Sequence, residues 1–167
     1  MNINYRLRVA GALAMALIGA STTAAENMSF RGTLLDTPPC TITVDGEEGI
    51  EIDFGQVGVN KVNGENYKRS FILTYECEGT STDKLLRYLG IATAFDPTAV
   101  QSNLADFGIG LQHQKDGVVT PFKLGSTLTI PSYLGSTQLI AAPVKKAGAN
   151  LREGPFSAAA TFQLEYP

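Results

Sequence analysis

From Phe156 to Tyr166 every second residue is apolar: Phe156, Ala158, Ala160, Phe162, Leu164 and Tyr166. Ser157, Thr161, Gln163 and Glu165 fill most of the alternate positions, and only Ala159 blurs the pattern. Successive side chains of a β-strand point to opposite faces, so this segment sets six apolar groups on one side of a single strand. A stripe of that length has to be covered. An ordinary core strand of a β-sandwich would be covered by the facing sheet of its own domain, and the segment taken alone reads most simply that way.

A second alternating stretch lies near the start of the chain. Met28, Phe30, Gly32 and Leu34 alternate with Ser29, Arg31 and Thr33, and Pro38-Pro39 closes the run. Proline has no amide donor and drives the residue before it into extended geometry, so the pair separates this strand from the rest of the chain. No hairpin partner for it is evident. It is either the first strand of the same sandwich, a loose terminus, or a strand meant for another partner.

Between these two segments the chain is punctuated as an all-β protein. Short runs rich in β-branched and aromatic residues occur at Ile50 to Phe54, Ser70 to Cys77, Leu85 to Phe95, Phe107 to Gln114, Thr127 to Ile130 and Thr137 to Val144. Asp116-Gly117, Gly125-Ser126 and Gly154-Pro155 supply turns. Six or seven strands over about 130 residues predict a sandwich. Asp83 to Leu89 is the one stretch with a helical alternative, because Leu85, Leu86 and Leu89 share a helical face.

The first 25 residues have the form of a secretory signal peptide: Arg6 and Arg8, an apolar run from Val9 to Ile18, then the small residues Ala20 to Ala25. That run is shorter than the roughly 18 to 20 residues needed to span a bilayer, so no membrane anchor is expected. Cleavage after Ala25 would start the mature chain at Glu26 and leave 11 Lys and Arg against 16 Asp and Glu. A scattered acidic excess of this kind disfavours nucleic acid as a partner. In an exported, oxidising setting the two cysteines, Cys40 and Cys77, point to a structural disulfide. One histidine and no CxxC pair leave too few soft ligands for a metal site, and no cofactor is expected.

These residues together resemble the pilins of the chaperone/usher pathway of Gram-negative bacteria, over the whole mature chain. The resemblance rests on the alternating extension before Pro39-Cys40, on Cys77 at the end of an aromatic and β-branched strand, and on the C-terminus. There, Gly154 stands fourteen residues from the end and Tyr166 is next to last. Phe30-Arg31-Gly32-Thr33-Leu34-Leu35-Asp36 and Ile52-Asp53-Phe54-Gly55 look most like minor subunits of P-type pilus tips.

The resemblance implies an incomplete immunoglobulin-like β-sandwich that lacks its last strand and is completed by a strand from a chaperone or a neighbouring subunit. It implies residues 1–25 as signal peptide, 26–37 as donor-strand extension and 38–167 as pilin domain. Met28, Phe30, Gly32 and Leu34 would enter a neighbour's groove. Gly154, Phe156, Ala158, Ala160, Phe162, Leu164 and Tyr166 would border the acceptor groove and bind the chaperone. The implied partners are a periplasmic chaperone, an outer-membrane usher, neighbouring pilins and, near the fibre end, a tip adhesin. The implied route leads through the periplasm to the cell-surface fimbrium.

Catalysis finds no support in the residues. His113 stands alone and reads as a surface or edge-strand residue, and no Ser or Cys lies in a nucleophile motif such as GxSxG. Asp53-Phe54-Gly55 matches a kinase tripeptide without the glycine-rich phosphate loop that would give it meaning. The rival from another class is a secreted carbohydrate-binding sandwich. Against it stand the absence of tryptophan and the lack of any tyrosine cluster.

Overall fold

In the computed structural model, residues 31–32, 39–47, 49–79, 83–130 and 134–166 are described. The chain separates into Met1–Leu35 and Asp36–Pro167. Only Arg31 and Gly32 of the first unit fall within the described residues, so Met28, Phe30 and Leu34 lie outside them. The second unit carries the fold.

Nine strands form among the described residues: β1 Cys40–Val44, β2 Arg69–Cys77, β3 Lys84–Gly90, β4 Ala99–Gln101, β5 Phe107–Lys115, β6 Val118–Pro121, β7 Thr127–Ile130, β8 Leu134–Lys145 and β9 Ala160–Glu165. A single 3-10 turn, Val59–Lys61, is the only helical element there. Six strands make one antiparallel sheet in the order β1-β2-β8-β5, with β4 and β6 both paired to the far edge of β5. The second sheet is β7-β3-β9. The fold is an all-β sandwich, as the spacing of strands and turns predicts, and it is immunoglobulin-like, as the resemblance implies.

The core lies between the two sheets and is built from alternate residues. Phe71, Leu73 and Tyr75 of β2, Leu111 of β5 and Leu139 and Ala141 of β8 face Leu86 and Tyr88 of β3 and Ile130 of β7. Leu73, Leu86 and Leu139 are fully buried. The same alternation decides Asp83 to Leu89 in favour of a strand: Lys84, Leu86 and Tyr88 point inward at period two. Turn chemistry fixes register. Lys115 pairs with Val118 across Asp116 and Gly117, whose φ angles of 52° and 80° are those of a two-residue type I′ hairpin. Gly135 pairs with Tyr75, and a Cβ at Gly135 would run into the tyrosine ring, so the ring can lie across β8 here because that position is glycine.

Cys40 and Cys77 are direct cross-strand partners at one end of the β1-β2 pair, and they are disulfide-bonded with Cα atoms 4.0 Å apart. The strand expected over Leu85 to Phe95 ends at Gly90, and two others fall short of expectation together. Ile50 to Phe54 runs without joining any ladder among the described residues, and the C-terminal alternation that begins at Phe156 starts its ladder only at Ala160. Both shortfalls occur at the same place in the fold.

Candidate functional site

That place is a groove of about 700 Å³. One bank is residues 50–57 and the other is residues 151–160 with Phe162. Its floor is core: Phe71, Tyr88, Phe107 and Leu111 all open onto it.

The first bank follows from the turn before it. Asp45 and Gly46, both at positive φ, reverse the chain so that Val44 and Glu47 exchange backbone hydrogen bonds, and the chain then leaves the sheet. Beyond the turn, Ile50, Ile52 and Phe54 alternate inward with decreasing exposure: Ile50 is exposed, Ile52 half-buried and Phe54 buried. No neighbouring strand holds this bank among the described residues. The Arg69 guanidinium does so instead, donating to the carbonyl oxygens of Asp53 at 3.1 Å and Phe54 at 3.4 Å. Gly55 N–H is taken up by the Asp53 carboxylate at 2.7 Å.

The second bank is tied down along one side. Ser102 and Ala158 form an isolated bridge, Asn103 N–H donates to Ser157 O, and the Asn103 side chain binds Ser157 N–H and Pro155 O. From Ala160 onward β9 pairs with β3, from Gly90↔Ala160 to Leu85↔Glu165. β9 has no strand partner on its other edge among the described residues.

The width of the groove varies along its length. At one level the banks nearly meet, with the Phe54 and Phe156 rings 6.1 Å apart and Phe156 edge-on to Phe107 at 4.8 Å. Ala158 and Ala160 then leave it wide, and both are exposed. At the far end Phe162 stacks on Tyr88 at 5.4 Å, with Phe122 alongside. Burial pushes the Tyr88 phenol well up from its ordinary range, so it stays a neutral part of this floor.

None of the six apolar residues from Phe156 to Tyr166 is buried: Phe156, Phe162, Leu164 and Tyr166 are half-buried, and Ala158 and Ala160 are exposed. An apolar stripe facing a core, with an open edge beside it and unpaired backbone opposite, is the surface a β-strand would complete. Over residues 28–167 the sequence matches the family described as fimbrial protein.

The chain belongs to the fimbrial protein family.

Its relatives agree. The chain is 33% identical over 147 residues to the fimbrial-like protein YfcQ of Escherichia coli (strain K12), covering 84% of this chain and 87% of that one. The fold is shared with the P pilus rod subunit PapA at TM-score 0.59 and 22% identity, over 77% of this chain and 99% of that one. The P pilus adaptor subunit PapF matches at TM-score 0.57 and 22% identity, over 78% and 98%. The resemblance to chaperone/usher pilins drawn from the sequence therefore holds, and this is a structural, non-enzymatic subunit.

In this pilin the residues singled out from sequence do not all meet. Gly154, Phe156, Ala158, Ala160 and Phe162 line the groove, whereas Leu164 and Tyr166 lie beyond it. Leu164 packs against the core. The Tyr166 hydroxyl donates to Cys40 Sγ at 3.2 Å, since a bridged sulfur has no proton to give, and Lys84 Nζ sits 5.5 Å from the centre of the Tyr166 ring. Lys84 is fully buried on the inward stripe of β3, a placement that no propensity would suggest for lysine. Opposite the stripe, Arg87 grips Glu165 through two hydrogen bonds of 2.6 and 2.8 Å. Those bonds hold the Glu165 carboxyl below its usual range and raise the guanidinium further. His113, read as a surface or edge residue, is half-buried in β5 between β6 and β8, and lies 3.4 Å from the Thr120 hydroxyl.

The opposite bank is what sequence reasoning missed as a site. Ile50, Ile52 and Phe54 carry the alternation of a strand, and a strand-like pattern that finds no ladder was the available signal.

Proposed function

We propose that this fimbrial subunit polymerises by donor-strand exchange, with the groove between residues 50–57 and 151–162 accepting a β-strand from outside the subunit. The observation that carries the reading is the C-terminal stripe: six apolar side chains in strand alternation, none of them buried, along an open strand edge. A periplasmic chaperone supplies that strand first, and the N-terminal extension of the next subunit replaces it at the outer-membrane usher. The chain's own Met28, Phe30, Gly32 and Leu34 serve the subunit ahead of it in the same manner. Its place is near the fibre tip, as a minor tip or adaptor subunit, an assignment resting on the likeness of residues 30–36 and 52–55 to such subunits. A signal peptide over residues 1–25 brings the chain to the periplasm on its way to the cell surface.

Each apolar side chain that a donor strand buries contributes about 1.5 to 3 kcal/mol, and new main-chain hydrogen bonds add to that. A self-sufficient lectin would have no use for such a strand. The test is to purify the mature chain with its chaperone and add a peptide copying a pilin extension. The peptide should displace the chaperone and raise the melting temperature, by about 2.7 kcal/mol of mass-action stabilisation at a hundredfold excess over its dissociation constant. A mature chain that is monomeric without any chaperone, and whose melting ignores every such peptide, would refute the reading.

A further inference from the structure

We infer that Tyr67 and Arg69, on the segment that leads into β2, form a clasp that holds residues 50–58 in place while the groove is vacant, and that this clasp sets the rate at which an incoming strand is captured. The inference rests on the strand-exchange reading above and adds the residues that prepare the site.

A strand is ordinarily held in place by its ladder. Residues 50–57 make no backbone-to-backbone hydrogen bond among the described residues, although Ile52, Phe54 and Val57 pack against the core. Backbone without a ladder is free to shift, and ordering it at the moment of capture costs conformational entropy. Capture is then slowed by the fraction of time the bank is out of place. Two side chains supply the missing restraint. The Arg69 guanidinium donates to the Asp53 and Phe54 carbonyl oxygens, and its planar fork serves both acceptors at once. Beyond the bank, Gly58 N–H donates to the Tyr67 hydroxyl at 3.1 Å. A Cβ at Gly58 would lie 3.1 Å from that same oxygen, so the hydroxyl is seated close against the backbone it holds.

The clasp stands on a fixed base. Tyr67 has φ of 63°, a left-handed conformation that a bulky residue keeps only where its surroundings over-determine it. Here they do. The Asn63 side-chain oxygen accepts from Glu65 N–H at 3.0 Å and Asn66 N–H at 2.8 Å, and the Asn66 side chain donates to Lys61 O at 2.8 Å. Gly64 N–H donates to Pro143 O of β8 at 3.1 Å, and Val62 is buried. Arg69 itself pairs with Ala141 as the first residue of β2. Both clasp side chains therefore issue from a segment tied to the large sheet and reach one that has no ladder of its own. Once a strand fills the groove, its pairing with the bank takes over what the clasp supplied. The clasp thus matters before capture and little afterwards, and this asymmetry separates a positioning role from general support of the fold.

The test uses the full mature chain, freed of chaperone in denaturant and refolded with its disulfide intact. The ligands are a labelled peptide copying residues 26–36 and, separately, the chaperone. Arg69→Ala should slow association with either ligand about tenfold, the result of an equal fall in the competent fraction, and leave dissociation within about twofold of the parent. Arg69→Lys keeps the charge without the fork and should fall between the two. Tyr67→Phe removes only the hydroxyl and should slow association about threefold by the same route, which keeps the test intact should Arg69→Ala not fold. Lys115→Ala removes an exposed cation on the β5-β6 hairpin and should change neither rate. Hydrogen exchange at residues 50–57 should be faster in the vacant Arg69 and Tyr67 variants than in the vacant parent, and equal once the groove is filled. Unchanged association in these variants, or dissociation accelerated as much as association is slowed, overturns the clasp and leaves strand exchange standing. A parent chain that captures neither ligand overturns the strand-exchange reading and the clasp with it.

Discussion

β2 and the C-terminal segment carry nearly the same message in sequence and meet opposite fates. In β2, Phe71, Leu73, Tyr75 and Cys77 alternate with Ser70, Ile72, Thr74 and Glu76 and are at most 4% exposed. From Phe156 to Tyr166 the alternation is longer, yet no member of the stripe is buried. Composition does not separate them; neighbours do. β2 lies between β1 and β8, and Leu73 reaches the middle of the sandwich. β9 has β3 on one edge, no strand on the other among the described residues, and across the groove a bank held by one arginine. Periodicity therefore specifies which side of a strand seeks cover, while topology decides whether the cover is present.

The comparison can be broken most forcefully at Leu73. Leu73→Ala should cost about 2 to 5 kcal/mol in urea unfolding, by the same amount whether or not a donor peptide fills the groove. Phe162→Ala should cost less in the empty subunit, and its cost should grow once the peptide is bound. If the two penalties respond equally to peptide, the stripes are not different in kind.

A smaller effect sharpens the contrast within β9 itself. Phe162→Asp places a charge where an incoming strand would bury it and should weaken peptide binding by tenfold or more, an effect of about 1.4 to 3 kcal/mol. Gln163→Asp lies one residue along, on the exposed face opposite Arg87, and should leave binding nearly unchanged. Isothermal titration of both variants with one peptide decides it.

The smallest effect comes from the outer face. Because Arg87 holds the folded-state carboxyl of Glu165 low, their pairing stabilises the fold above the unfolded carboxylate value of about 4.3. That contribution is lost as pH falls through the lowered folded-state value. Glu165→Gln should therefore melt slightly below the parent at neutral pH and coincide with it in strong acid. A difference that persists unchanged into acid would mean Glu165 acts through packing, not charge.

Much of this was legible before the fold was known. Thr127–Ile130 has the bounds its sequence suggests, and β2, β5 and β8 differ only at their ends. Alternation bounded by turn residues is a local signal, and these strands have partners on which it can act. β4 has only three residues, and β6, Val118–Pro121, is exposed throughout, so neither shows a periodic stripe to read. Ile50 to Phe54 was misjudged for the opposite reason: its alternation is sound, but a ladder needs a second strand. Half of the groove was therefore visible from sequence as the C-terminal stripe. The facing bank, the Phe54–Phe156 pinch, the burial of Lys84 and the hydroxyl of Tyr166 on Cys40 depend on contacts between segments far apart in the chain, which periodicity does not encode.

The position of the disulfide bears on how such a subunit carries tension. In the strand-exchange reading proposed above, subunits are linked through the segment ahead of Cys40, so a pull along a fibre would arrive at the first residue of β1. Peeled from that end, an antiparallel pair would open one rung at a time, each rung resisting alone. The Cys40–Cys77 bridge is the first rung, and it is covalent. Load is passed at once to β2, whose pairing with β8 extends over eight residue positions from Arg69↔Ala141 to Glu76↔Leu134. Opening β1 from that end therefore has to break a covalent bond or carry β2, with its ladder to β8, along with it.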